Sequence, residues 1–132
     1  METAEKRRVL VVDDAPDVAV MLDVMLRRAG YDSSMATSAT DALALAKRVQ
    51  FDIVISDLAM PEKDGFSLLR ALRTLPEYKK VPMVSLSGFP QYRDPSLSLS
   101  LGFDAHLPKP IQPDKFIETV KSVRRRPFES GP

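Results

Sequence analysis

Val9-Leu10-Val11-Val12 run together without a polar break. A strand with one wet face alternates apolar and polar residues, so a run like this must be covered on both faces. Ile53-Val54-Ile55 and residues 81–86 repeat the pattern, and residues 31–36 and 105–107 are weaker versions of it. Strands of this kind belong in a parallel sheet, and a parallel sheet needs crossover segments between its strands.

The intervening segments supply them. Val18, Leu22, Met25, Leu26 and Ala29 recur at helical steps, with Pro16 placed for a first turn and Gly30 for a stop. Ala42, Leu45, Ala46 and Val49 form a second stripe. Leu68, Leu69, Leu72 and Leu75 form a third, and Phe116, Ile117, Val120 and Val123 form the last, after Pro113. Residues 96–101 alternate Ser and Leu with period two, which alone argues for a strand. Asp94 as N-cap, Pro95 at the first helical position and Gly102 as a stop argue instead for a short helix of about two turns.

Strand and helix alternate five times. The expected fold is α/β, a five-stranded parallel sheet in the order 2-1-3-4-5 with helices on both faces, the flavodoxin-like doubly wound arrangement. The length of 132 residues suits one domain, here residues 8–126, with residues 127–132 as a C-terminal tail or linker. A net charge of +1 gives no global attraction to nucleic acid or an anionic membrane. The absence of cysteine excludes disulfides, thiolate catalysis and Cys-ligated zinc. Residues 1–8 are too polar for a signal peptide, and no apolar run approaches ~20 residues, so a cytoplasmic location is expected.

Ligands of such sheets bind beyond the carboxyl ends of the strands. The first strand ends in Asp13-Asp14, the third in Asp57 and the fourth in Ser87-Gly88, and Lys109-Pro110 follows the fifth. With the first and third strands adjacent, three carboxylates converge. Each pair at ~4–5 Å costs about 3–4 kcal/mol at an effective dielectric of 20. Either a proton is retained or a cation is bound. Oxygen donors without nearby His or Cys favour a hard ion, magnesium above all, with manganese able to substitute. One carboxylate is then free to act as a nucleophile, and aspartyl phosphates are a known covalent class. Lys109 and the Ser87 hydroxyl are placed to neutralise and hydrogen-bond an incoming phosphoryl group.

At these residues the chain resembles the response-regulator receiver family. The matching pieces are Val11-Val12-Asp13-Asp14, the stretch from Asp57-Leu58-Ala59-Met60-Pro61 through Asp64-Gly65, Ser87-Gly88, and Gly102-Phe103-Asp104-Ala105-His106-Leu107-Pro108-Lys109-Pro110. The resemblance implies that Asp57 is the phosphoacceptor in two-component signalling. It implies that Asp13, Asp14, Asp57 and the Ala59 backbone carbonyl hold the metal. Ser87 and Lys109 stabilise the phosphoryl group, and Ser87 and His106 occupy the switch positions. Asp64 and Gly65 are read as a structural turn, and the bond before Pro110 as cis. The implied partners are a histidine kinase or phosphotransfer protein, then an output protein or attached output domain, with the chain a monomer or a weak phosphorylation-dependent dimer. Direct nucleic-acid contact and membrane contact are not expected.

Three departures stand out. Ala59 offers no side chain to order an attacking water. Phe89 is bulky where it follows Ser87. The fourth helix is short and proline-rich. The first two imply slow self-dephosphorylation, and the third an unusual or weak output surface.

Each residue also has a plainer reading. Asp13-Asp14 would cap the first helix, Lys109 alone would be a solvated surface lysine, and His106 a half-buried strand residue. An aspartyl-phosphate phosphohydrolase would carry an acid-base carboxylate two residues past its nucleophile, where Ala59 stands. A flavodoxin-like cofactor binder would want a glycine- and hydroxyl-rich loop after the first strand, where acidic residues stand instead. The expectation is therefore a phosphoacceptor and not an enzyme proper. It is either a stand-alone regulator or a receiver from a hybrid histidine kinase or multidomain regulator.

Overall fold

The computed structural model describes residues 6–60, 63–89 and 95–124. The strands are β1 (Arg8–Val12), β2 (Asp32–Ala36), β3 (Ile53–Asp57), β4 (Met83–Ser87) and β5 (Ala105–Pro108). The helices are α1 (Pro16–Arg28), α2 (Ala39–Arg48), α3 (Gly65–Arg73), α4 (Ser96–Ser100) and α5 (Pro113–Ser122), with a 3-10 turn at Pro76–Tyr78. All four strand pairings are parallel, and the order is β2-β1-β3-β4-β5, as the alternation of the sequence demanded.

The unbroken apolar runs are explained by two cores. Val9 and Val11 of β1 pack with Leu22 and Leu26 of α1 and with Phe116 and Val120 of α5. Leu10 and Val12 face the other way, into a core with Ala42 of α2, Leu69 and Leu72 of α3 and the buried Tyr78. Alternate side chains of one strand serve opposite faces, so neither set can be polar.

Several boundaries moved for local reasons. β2 begins at Asp32, because the Tyr31 N–H still closes α1 through the Leu26 carbonyl. Gly30 makes that closure with φ +98. β4 begins at Met83 rather than at residue 81, since Pro82 has no N–H for the ladder. α4 is short, as expected, but Pro95 is its N-cap and Ser96 its first residue. Asp94, Pro61 and residues 125–132 lie outside the described residues. α5 ends at Ser122, so Arg124 lies beyond the helix and donates back to the Lys121 and Val123 carbonyls.

The α4–β5 connection is tied to α3. Arg73, the last residue of α3, donates to the carbonyls of Tyr78, Val81 and Gly102 and pairs with Asp104 at 3.3 Å. Asp104 in turn accepts the Met83 N–H at 2.8 Å. Phe103 packs edge-on against Phe66 of α3.

Candidate functional site

The register of β1 and β3 aligns Val12 with Ser56, which brings Asp13 beside Asp57 at the carboxyl edge of the sheet. Asp13 is fully buried, Asp57 is 5% exposed, and Asp14 is open to solvent. Carboxylate oxygens of the three lie within 4.8 Å of one another. Lys109 enters from the end of β5. Its Nζ is 2.8 Å from Asp13 Oδ2 and 3.3 Å from Asp57 Oδ2. The Lys109–Pro110 bond is cis.

Backbone contacts fix this arrangement. The Lys109 N–H donates to the Ser87 carbonyl at 2.8 Å, and the Leu58 N–H to the Leu86 carbonyl at 2.9 Å. Asp64 caps α3 by accepting the Ser67 N–H at 2.8 Å. Gly65 then donates to the Leu58 carbonyl, and a Cβ at this position would fall 2.3 Å from the Asp57 carbonyl oxygen. Only glycine allows α3 to start so close to β3. Asp13 and Asp14 do not cap α1: the N-cap is Ala15, whose N–H goes to Asp13 Oδ1 at 2.9 Å.

Three carboxylates face one ammonium. Burial, then the charge of Asp13, pushes the Asp57 carboxyl from 3.8 up to about 6, with Lys109 and the Ala59 N–H opposing. Burial alone would lower the Lys109 ammonium, but the hydrogen bonds and charges of Asp13 and Asp57 outweigh it and hold it above 10.5. Excess negative charge, oxygen-only donors and a solvent-open Asp14 fit a hard divalent cation.

The family model for the response regulator receiver domain matches residues 9–121. The chain belongs to that family. Chemotaxis protein CheY4 of Vibrio cholerae superposes on this receiver with a TM-score of 0.84 at 31% identity, covering 90% of this chain and 99% of that one. The receiver domain of sensor histidine kinase PA1611 from Pseudomonas aeruginosa PAO1 holds magnesium in its active-site cleft. It aligns at TM-score 0.79 and 25% identity over 89% of this chain and 96% of its own. Among curated relatives, an uncharacterized 14.6 kDa protein of Leptolyngbya boryana is 36% identical over 92% of both chains. The DNA-binding response regulator MtrA of Mycolicibacterium smegmatis is 33% identical over 92% of this receiver. The receiver spans about half the length of MtrA, 52%.

The other side of the receiver's pocket is less orthodox. Ser87 is buried, and its Oγ accepts the Phe89 N–H at 3.1 Å. Phe89 itself is 52% exposed. Gly88 packs against the Lys109 stem, where a Cβ would meet Lys109 Cβ at 3.4 Å. The Nδ1 of His106 lies 2.7 Å from the hydroxyl of Ser85. Sequence reasoning passed over Ser85. The available signal was a serine two residues before Ser87 in a buried strand, hence on the same face. Among the described residues, no helix is long and apolar enough to cross a membrane.

Proposed function

We propose that this receiver accepts a phosphoryl group on Asp57 from the phosphohistidine of a kinase or phosphotransfer protein, in a magnesium-dependent step. The observation that carries the reading is the Asp57 carboxylate set between two further carboxylates and the Lys109 ammonium. Asp13, Asp14, Asp57 and the Ala59 carbonyl would hold the metal, which supplies charge neutralisation to the incoming phosphoryl oxygens when bound. An Asp57 oxygen attacks phosphorus in line with the donor's N–P bond. The new O–P bond forms, the N–P bond breaks, and the departing imidazole nitrogen keeps the electron pair and takes a proton from solvent. Lys109 leaves its carboxylate partners for the phosphoryl group, and Ser87 can donate its hydroxyl while still accepting from Phe89.

The domain acts as a phosphoacceptor that switches partner binding, rather than as a phosphohydrolase. Ala59 carries no polar group, and Phe89 stands beside Ser87, so self-dephosphorylation is slow. An aspartyl-phosphate half-life of seconds would contradict this. The output is a separate protein or an attached domain, as in the longer DNA-binding relatives, and any DNA contact belongs to that part. A receiver belonging to a hybrid histidine kinase is the second reading. It is favoured by the PA1611 likeness, which is to the receiver of a sensor kinase. The proposed setting is the cytoplasm, with the receiver monomeric or weakly dimeric on phosphorylation.

The test is incubation with acetyl phosphate or phosphoramidate, with and without magnesium, read by intact mass. The expected result is one added phosphoryl group that requires magnesium and is absent in Asp57→Asn. A magnesium-independent gain, or one retained in Asp57→Asn, would reject the proposal.

A further inference from the structure

The register of β3, β4 and β5 aligns Ser56 with Ser85 and Ser85 with His106. This cross-strand row lies on the sheet face that also carries Val54 and Met83, toward α2 and α3. Ser56 is 1% exposed and Ser85 fully buried. Most inward positions of these strands hold Val, Ile, Leu or Met, so two serines side by side leave depth above the sheet next to His106. The two hydroxyls act differently. The Ser56 hydroxyl donates to the Asp57 carbonyl at 2.9 Å. The Ser85 hydroxyl lies 2.7 Å from His106 Nδ1, and its other neighbour, the Ala105 carbonyl, is a distant 3.4 Å away. The imidazole contact is the stronger of the two.

We propose that Ser85 is the positioning residue for His106: the paired serines form an inward berth for the imidazole, and the Ser85 hydroxyl latches the ring there. A hydroxyl both donates and accepts, so it holds Nδ1 whether that nitrogen is bare or protonated. The latch also stands apart from Ser87, whose oxygen is engaged by Phe89. It therefore sets the resting orientation of the ring before any phosphoryl group arrives. His106 also borders a cavity of about 280 Å³ beside β5 and α5, with Pro108, Ile111 and Lys115.

His106 is the only histidine, so its imidazole ¹⁵N resonances are unambiguous. In the parent protein they are expected to report one inward rotamer, with a Ser85 hydroxyl proton protected from exchange. Ser85→Ala should shift both ring resonances and lower the inward-to-outward ratio about fivefold, the loss of one ordinary hydrogen bond. Ser85→Thr should restore the parent signature, and Ser56→Ala should leave it unmoved. Parent-like resonances in a folded Ser85→Ala protein would overturn the latch. So would an equal change in Ser56→Ala, or an outward ring with no protected hydroxyl in the parent itself.

Discussion

The carboxylate pocket and the α4 side of the same domain are built by opposite rules. At Asp57 the neighbours are set by backbone: the Leu58 and Gly65 N–H groups, the Ser87 carbonyl and a strand register leave no slack. At α4 the usual polarity is inverted. Ser98 is 2% exposed, while Leu97, Leu99 and Leu101 are 44–48% exposed. The difference teaches where variation is tolerated. A pocket that must place four charged groups within a few ångströms needs rigid support. An exposed helix face carries no such demand.

The largest expected effect tests the rigid side. Gly65→Ala drives a Cβ to 2.3 Å from a backbone oxygen that cannot swing away. It should cost about 3 kcal/mol or prevent folding, measured by urea denaturation. A cost below 1 kcal/mol would show that the pocket has slack after all.

Next comes pH. The Asp57 carboxyl is raised from 3.8 to about 6, so between those values the native state holds a proton that the unfolded chain has lost. Stability of the metal-free protein should therefore fall as pH rises from about 4 to 6, by on the order of 2–3 kcal/mol from this group. Saturating magnesium competes with that proton and should flatten the slope. Denaturation midpoints against pH, with and without magnesium, check both statements.

Gly102→Ala probes the α4 side by the same kind of change. Its φ of +117 disfavours any side chain, but the Cβ would meet only the flexible end of Leu69 at 3.2 Å. A loss of about 1–2 kcal/mol is expected, clearly smaller than at Gly65. Smallest of all, Leu97→Ser and Leu101→Ser should change stability by no more than ~0.5 kcal/mol, since neither side chain is buried. A loss of 2 kcal/mol at either would mean that α4 is held by its leucines, and the contrast would fail.

The same contrast explains what could be read from the chain. β1 and β3 were legible because both faces are covered, and the pocket because each carboxylate ends such a strand. α4 was ambiguous because its Ser-Leu alternation has strand periodicity, while Pro95, Gly102 and the Ser98 contacts with the domain make it a helix. The bond between Ser85 and His106 was hidden because it depends on strand register, which no local pattern of β4 or β5 reveals. Arg73 was passed over for a related reason: its carbonyl acceptors come from two separate connections, α3–β4 and α4–β5.

The Gly65 contact has an evolutionary corollary. Residues 58 and 65 are hydrogen-bonded to each other, so the segment between them leaves and returns to one point. Surface loops usually absorb insertions, but here an added residue must bulge without moving either anchor. Related chains should therefore keep the residue count of this loop, and a library of one-residue insertions should be depleted there far more than after Gly30.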